Sequence, residues 1–253
     1  MNIAPATSDT PVRVAVAGAW GRMGRETVLA VNDAPDMQIV AEIGRGDDVA
    51  ALLASSRPDV LVEFSTPTSV MSNVRAALSA SVPVLIGATG LSETDRAEIA
   101  ALCERFDTPA LLAPNFALGA VLLMRFAKDA ARYFPAAEII ELHHERKLDA
   151  PSGTAIRTAQ LIAEGRAEAN VTPGATAPDE SGARGANTHG VPVHSVRLPG
   201  FVASQEVIFG GAGQRLSLRH DSTDRASFMP GVLLAVRQIR SRRGLVIGLE
   251  NLL

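Results

Sequence analysis

The sequence contains a single cysteine, Cys103, so no disulfide can form within the chain. That scarcity favours a reducing compartment, and we expect a cytoplasmic protein. No run of about 18 consecutive apolar residues is present, which predicts no membrane span. The N-terminal residues lack both a basic start and an apolar stretch, so we do not expect a signal peptide.

An excess of basic residues is lacking too, because the formal net charge is −3 at pH 7. This charge argues against nucleic acid as a partner. The chain does have material for a core, since 47% of its 253 residues are hydrophobic and 20% are charged. Such a composition predicts a folded protein with one large domain or two modest ones.

The first half of the chain alternates short apolar runs with helical stretches. Strands are predicted at 12–17, 38–43, 60–64, 84–87 and 110–113, and helices at 24–32, 49–55, 68–80 and 93–106. This alternation indicates an α/β fold with a parallel sheet and right-handed crossovers. We therefore expect a Rossmann-like dinucleotide-binding domain over 1–117, completed by about 225–253.

The second half lacks this alternation. A stretch rich in glycine, proline, alanine and asparagine, from about 165 to 191, indicates a mobile lid. Three strand candidates follow without intervening helices, so we expect them to be antiparallel. Residues 118–224 are thus expected to form an α+β domain. Its predicted helices are 118–133 and 154–163, its predicted strands are 138–144, 193–198, 205–209 and 214–220, and a last helix follows at 228–240.

A glycine motif joins the first predicted strand to the first helix. Glycines let a ligand approach the backbone closely, and a helix N-terminus offers N–H groups with partial positive charge, so this motif suits a pyrophosphate. A tight turn without a ligand is the alternative, because position 20 is not the glycine of the commoner G-x-G-x-x-G. The residues are Gly18, Ala19, Trp20, Gly21, Arg22, Met23 and Gly24.

Three further predicted strands end in small or polar residues. Ligands of doubly wound folds lie at the carboxyl ends of strands, and glycine there lets a nicotinamide pass close to the backbone. Taken singly, each of the first two segments favours an ordinary turn between strand and helix, and the alternative for the third is a turn at the domain boundary. The segments are Phe64-Ser65-Thr66-Pro67, Gly87-Ala88-Thr89-Gly90 and Ala113-Pro114-Asn115-Phe116.

The richest cluster of chemical groups runs from Glu141 to Ala155 (ELHHERKLDAPSGTA). His143 and His144 are adjacent at a strand end, where neighbouring side chains point to opposite faces. Lys147 follows in a loop, and a predicted helix then begins, whose N-terminus is an anion site. These cations and N–H donors suit a small substrate with more than one carboxylate.

Other interpretations of this cluster exist. Ser152 or Thr154 could serve only as an N-cap. The histidines could bind a metal with Glu145, but adjacent histidines diverge and no third ligand has typical spacing, so we expect none. A solvated charged loop would explain residues 145–147, but not two histidines, a lysine and a helix start in one short stretch.

The run HHERKLDAPSGTA resembles the signature H-H-x-x-K-x-D-A-P-S-G-T-A of the 4-hydroxy-tetrahydrodipicolinate reductase family. GAWGRMGRE is similar to that family's nucleotide loop, GATG to its G-T-T-G turn, and APNFALG to its A-P-N-F segment. The resemblance extends from about Val12 to Leu253. It implies a Rossmann domain completed by the C-terminal helix, and a mixed-sheet domain that binds substrate and builds a homotetramer.

The resemblance also implies roles for individual residues. The family's proton donor/acceptor falls on His143 and its catalytic lysine on Lys147. Its substrate-contacting histidine falls on His144, and its carboxylate-binding pair on Gly153 and Thr154. The implied dinucleotide contacts are Gly18, Ala19, Trp20, Gly21, Arg22, Met23, Gly87, Ala88, Thr89, Ala113, Pro114, Asn115 and Phe116.

Two positions depart from the family pattern. Ala88 replaces the usual threonine, which removes a hydroxyl but leaves the backbone. Gly44 stands where an acidic residue often binds the adenosine ribose. Arg45 would then suit a 2′-phosphate unless it is a solvated turn residue, and Glu42 is the alternative ribose ligand. We expect both NADPH and NADH to serve, with NADPH favoured.

The implied reaction reduces a small cyclic dicarboxylate, on the route to diaminopimelate and lysine. A nicotinamide supplies hydride and a protein group supplies a proton. A dinucleotide-binding sensor is one rival, but it would not need His143 and Lys147 together. An amino-acid or semialdehyde dehydrogenase of the same fold is another. Acyl chemistry there would require a nucleophilic cysteine, and Cys103 falls inside a predicted helix.

Overall fold

A computed structural model of the protein describes residues 10–88, 91–174 and 181–253. This part of the chain forms two compact units: residues 10–116 with Phe228–Leu253, and Ala117–Ser227. The predicted cofactor residue Thr89 and part of the predicted lid, 175–180, lie outside the described residues.

The first unit contains a six-stranded sheet with helices between its strands. The strands are β1 (Val12–Ala17), β2 (Met37–Ile43), β3 (Val60–Glu63), β4 (Val84–Ile86), β5 (Ala110–Leu112) and β11 (Leu245–Ile247). Their spatial order is β11-β5-β4-β3-β1-β2, and every neighbouring pair is parallel. The helices are α1 (Arg22–Asp33), α2 (Val49–Ser56), α3 (Val70–Ser79), α4 (Glu93–Phe106) and α7 (Met229–Ile239), with a 3₁₀ turn at Leu249–Leu252.

The order of strands in the sheet changes direction at β1, because the next two strands in the chain lie on opposite sides of it. β2 pairs with one edge of β1 and β3 with the other, so the connections leave the sheet on opposite sides. A crevice at the carboxyl ends of such strands is where doubly wound sheets bind ligands. The rings of Phe64 and Phe116 meet edge-on there, with centroids 5.7 Å apart, so the segments after β3 and β5 converge.

The second unit is a mixed five-stranded sheet with helices on one face. Its elements are α5 (Leu118–Ala131), β6 (Ala136–His143), α6 (Gly153–Glu168), β7 (Ala186–Thr188), β8 (Val191–Arg197), β9 (Ala203–Gly211) and β10 (Gln214–Ser222), followed by a 3₁₀ turn at Arg225–Phe228. The strand order is β10-β9-β6-β8-β7, with β6 and β8 parallel and the other pairs antiparallel. Alternate residues Ile139, Val207 and Phe209 face the core under α5 and α6.

The predicted fold class is confirmed: a Rossmann-like parallel-sheet unit is joined in the chain to a mixed-sheet unit. Several details were wrong. The predicted lid overlaps α6, which ends at Glu168, and it also contains β7. β11 was not predicted. Of the three strands expected to be antiparallel, β9 and β10 do pair in this way, while β6 lies between β8 and β9. β7 and β11 have three residues each, which is too short to show an alternation of apolar and polar residues. They form strands because they pair with β8 and β5, respectively.

None of the helices in the described ranges is both long and apolar enough to cross a bilayer.

Candidate active site

A cleft of about 850 Å³ opens in the first unit at the carboxyl ends of β1, β2 and β3. Its walls come from the glycine loop, from the turn after β2, and from the turn after β3 with the start of α3. The lining residues used below are Gly18, Trp20, Gly21, Gly44, Arg45, Asp47, Phe64, Ser65 and Asn73.

The glycine loop has little room for side chains. Gly18 adopts φ 75°, and a Cβ there would lie 2.5 Å from the Phe64 carbonyl oxygen. A Cβ on Gly24 would overlap the Gly18 carbonyl oxygen. Gly21 is different, because its Cβ would meet that oxygen at 3.1 Å. Gly21 is also the N-cap of α1 and has no side chain to cover the first N–H groups, so the loop fits a pyrophosphate.

The predicted cofactor residues occupy different environments in the first unit. Those that line the cleft are Gly18, Trp20, Gly21 and Arg45. Ala19 is fully buried, while Arg22 and Met23 belong to the first turn of α1.

The segments after β4 and β5 pack behind the cleft wall. A Cβ on Gly87 would overlap the ring of Phe64, which lines the cleft, so the end of β4 supports that wall. Ala88 packs partly buried against the hydrophobic core. Ala113 and Phe116 are buried, and Pro114 and Asn115 between them are half-buried.

The turn after β2 packs closely against Trp20. A Cβ on Gly44 would lie 2.5 Å from the indole nitrogen, so an acidic side chain at this place would require the exposed indole to move. Asp47 supplies a carboxylate nearby, since its Oδ2 accepts a hydrogen bond from Gly44 N at 2.7 Å. Glu42 lies within β2, one residue before Ile43, which is buried and lines the cleft. Neighbouring strand residues point to opposite faces, so Glu42 is directed away from the cleft.

The sequence did not single out Glu63 and Asn73. Glu63 is fully buried at the end of β3, and its carboxylate accepts from Ser65 N at 2.6 Å and from Asn73 Nδ2 at 2.8 Å. Burial raises the pKa of Glu63, although these hydrogen bonds act in the opposite direction. Ser65 and Asn73 line the cleft, so Glu63 fixes its wall. The one available signal was a glutamate inside the apolar run VLVEF.

The second unit brings several residues of the histidine motif together. His143 is the last residue of β6, and its Nδ1 is hydrogen-bonded to the carboxylate of Glu141. Glu141 has no exposed side-chain surface. Arg197, at the end of β8, donates to both oxygens of that carboxylate at 2.8 and 3.0 Å. The motif suggested His143, but Arg197 was missed because it is distant in sequence.

Lys147 and the start of α6 both follow this carboxylate in the chain. The Lys147 ammonium contacts both carboxylate oxygens of Asp149 at 2.8 Å. Ser152 is the N-cap of α6, because its hydroxyl accepts from Ala155 N, and its own N–H donates to Glu141 at 3.3 Å. Gly153 and Thr154 form the first turn of the helix, where Gly153 is exposed.

His144 follows the end of β6 and is half-buried. Its carbonyl oxygen accepts from Lys147 N at 3.1 Å, which closes the turn that carries the lysine. Over the residues that the structure describes, no group of three or more His, Cys, Asp or Glu side chains is arranged to hold a metal ion.

Comparison with known proteins decides the family. Residues 12–116 match the family model described as dihydrodipicolinate reductase, N-terminus, and residues 119–253 match the model for the C-terminus of the same enzyme. The chain belongs to the dihydrodipicolinate reductase family. As a member of this reductase family it is an oxidoreductase with a dinucleotide-binding fold.

Relatives in this family align over nearly their whole length. The 4-hydroxy-tetrahydrodipicolinate reductase of Moorella thermoacetica is 47% identical, over 96% of this chain and 98% of its own. That of Streptomyces coelicolor is 51% identical with the same coverage. A dipicolinate-bound dihydrodipicolinate reductase from Paenisporosarcina sp. TG-14 is 40% identical, with a TM-score of 0.80 over 96% of this chain and all of its own.

Outside the family, an amine dehydrogenase from Mycobacterium smegmatis has a similar fold, with a TM-score of 0.67 at 14% identity. The likeness covers 96% of each chain. At this identity it supports the fold alone.

Proposed function

We propose that the chain reduces 4-hydroxy-tetrahydrodipicolinate to tetrahydrodipicolinate with NAD(P)H, as a step in diaminopimelate and lysine biosynthesis. The substrate loses its hydroxyl group as water, and the unsaturated cyclic imine that results accepts the hydride and a proton. Membership of the family supports this reaction. The observation that carries it is that His143 and the start of α6 both bond to the buried Glu141 carboxylate, and that Arg197 links the same carboxylate to the Lys147 loop. The related structure with bound dipicolinate supports a cyclic dicarboxylate as the substrate class.

Each residue has a distinct part in the proposed reaction. The bound nicotinamide supplies hydride, while Gly18 and Gly21 let the pyrophosphate approach the N-terminus of α1. His143 supplies the proton. The Lys147 ammonium stabilises negative charge on the reacting ring. N–H groups at the start of α6 receive a carboxylate, and His144 contacts the substrate.

A dehydrogenase that forms an acyl-enzyme finds no support. Cys103 is buried within α4, and burial raises the pKa of its thiol to about 11. A thiol with such a pKa is almost entirely protonated at neutral pH and is a poor nucleophile.

NADPH oxidation tests the proposed function directly. Substrate is generated from pyruvate and aspartate semialdehyde, and loss of nicotinamide absorbance is followed with the purified protein. We expect turnover that depends on both precursors. Oxidation that is absent, or that proceeds equally without the precursors, would contradict the proposal.

The carboxylate site at α6 gives a prediction about substrate binding. Gly153→Ala should raise KM roughly tenfold, because a side chain would crowd the N–H groups that receive the carboxylate. Pyridine-2,6-dicarboxylate should compete with substrate in the wild type and more weakly in the variant. Gly210→Ala is the matched control, since a Cβ there has its nearest neighbour at 3.9 Å. Equal inhibition of all three proteins would contradict the assignment.

Cofactor preference depends on the turn after β2. We propose that NADPH is favoured over NADH because Arg45 is an exposed cation in the cleft lining, while Gly44 beside it carries no acidic side chain. Arg45→Ala should lower kcat/KM for NADPH about tenfold and leave NADH nearly unchanged. Arg25→Ala, on exposed α1 surface, should change neither. A clear NADH preference in the wild type would mean that Asp47, rather than Arg45, binds the ribose.

Assembly is proposed from the open face of the second sheet. α5 and α6 cover the face that carries Ile139, whereas Ile140 and Ile208 on the other face stay half-exposed beside Glu138 and Glu206. Apolar side chains grouped on an exposed face and flanked by polar residues mark a protein–protein interface, so we propose a homotetramer built through this unit, in the cytoplasm. Light scattering should give a tetramer mass at micromolar concentration, and a monomer mass would contradict the proposal.

A further inference from the structure

Glu141 is the most enclosed charged group in the histidine cluster, with no exposed side-chain surface. A carboxylate can accept about four hydrogen bonds, and the Arg197 guanidinium supplies two of them. This carboxylate also accepts from the His143 ring, from Ser152 N and from the Ser195 hydroxyl. Its partners therefore lie on three separate segments: the end of β6, the end of β8 and the start of α6.

The ionisation of Glu141 fixes the direction of the bond to His143. Burial raises the pKa of Glu141, but hydrogen bonds from His143, Arg197 and Ser195 outweigh it and lower the pKa to about 2. A carboxylate that is ionised at neutral pH can only accept hydrogen bonds. Nδ1 of His143 must therefore carry the proton in this contact, and Nε2 is the nitrogen left for exchange.

Arg197 extends the influence of Glu141 to the loop that carries Lys147. Besides its two bonds to the carboxylate, its guanidinium donates to the carbonyl oxygen of Lys147 at 3.3 Å and to that of Asp149 at 2.6 Å. The two arginine–carboxylate bonds set the plane of the guanidinium, and that plane sets where the two carbonyl oxygens lie. The loop position thus depends on the Glu141–Arg197 pair.

We propose that Glu141 is a positioning residue with two roles. It holds one proton on Nδ1 of His143, so that Nε2 is the nitrogen that gives a proton to the substrate. Together with Arg197 it also fixes the position of the Lys147 loop. The inference rests on the proposed function, in which His143 supplies the proton. With Nδ1 already protonated, Nε2 takes a second proton from solvent, which forms the imidazolium. After hydride addition this Nε2 proton passes to the ring atom that carries the negative charge, and the neutral Nδ1–H tautomer remains. Glu141 itself stays ionised throughout.

Kinetics of two variants test this role. Glu141→Gln keeps the shape and removes the charge, and we expect kcat to fall roughly a hundredfold with a smaller change in KM. Glu141→Asp keeps the charge for Arg197 but withdraws it from the ring, and should retain more activity than Glu141→Gln. Asp36→Asn is the matched control, because it removes another two-bond carboxylate–arginine pair, with Arg237. It should lower Tm and leave kcat within about twofold.

Nitrogen NMR of histidine-labelled protein tests the proton position without any substrate. His143 should show Nδ1 protonated and Nε2 unprotonated in its neutral form, and its signal is assigned by its loss in His143→Gln. In Glu141→Gln and Glu141→Asp the signal should move toward the Nε2–H tautomer that a free imidazole prefers. His194 is an internal reference for the opposite geometry, since its Nε2 lies 2.9 Å from Glu138 Oε2.

The outcomes separate this inference from the proposed function. If the wild type does not reduce the substrate, the proposed function is wrong. The NMR signals of the His143 ring nitrogens then still test whether Glu141 holds the proton on Nδ1. If Glu141→Gln folds, keeps kcat within about threefold and leaves the His143 tautomer unchanged, the positioning role is overturned. If Glu141→Gln does not fold, Glu141→Asp decides: wild-type kcat together with a wild-type tautomer would overturn it.

Discussion

Replacing His143 by alanine should lower kcat by roughly a hundredfold or more, and Lys147→Ala should have an effect of similar size. Loss of His143 removes the proposed proton donor, and loss of Lys147 removes a cation that stabilises charge on the reacting ring. Both side chains are mostly enclosed, at 13% and 18% exposure, and each contacts a carboxylate, Glu141 or Asp149. Steady-state kinetics with saturating NADPH measures the change.

His144→Ala is the matched comparison for this result. The residue is adjacent to His143 but follows the strand end, and its proposed part is to hold substrate, so the variant should act mainly on KM. A His143→Ala protein with near-normal kcat would show that the proton comes from elsewhere. Equal losses of kcat in the His143 and His144 variants would show that the two histidines share the chemical step.

Gly24→Ala should destabilise the first unit by about 2 kcal/mol or more, because the new methyl group would overlap the Gly18 carbonyl oxygen. That oxygen belongs to the backbone and cannot rotate away as a side chain would. Since α1 and the glycine loop would have to separate, dinucleotide binding should be lost as well. Thermal unfolding and NADPH titration by fluorescence measure the two effects.

Gly21→Ala is the control that separates folding from binding at the same loop. Its Cβ would meet Gly18 O at 3.1 Å, which small shifts relieve, so Tm should change little. NADPH should nevertheless bind more weakly, because the methyl group would stand over the N-terminus of α1 where the pyrophosphate is proposed to lie. If Gly21→Ala binds NADPH as tightly as the wild type, the pyrophosphate is not placed there.

Much of this protein could be predicted from short stretches of sequence. The alternation of strand and helix in the first half gave the parallel sheet, because apolar periodicity and turn residues are local signals. The residues from His143 to Thr154 are continuous in the chain, so a strand end, a loop and a helix start could be predicted together. The glycine loop was recognisable for the same reason, since it lies between one strand and one helix.

Only the tertiary structure revealed the contacts that depend on strand order and register. Arg197 meets Glu141 across 56 positions because β8 pairs with β6, and no local pattern encodes that pairing. The packing of Trp20 against Gly44 likewise depends on the parallel pairing of β1 with β2, which brings two chain segments to one edge. Local periodicity determines which residues form helices and strands. Long-range strand pairing determines which polar groups share a buried site, because each buried polar group needs a hydrogen-bond partner and only the pairing brings that partner close.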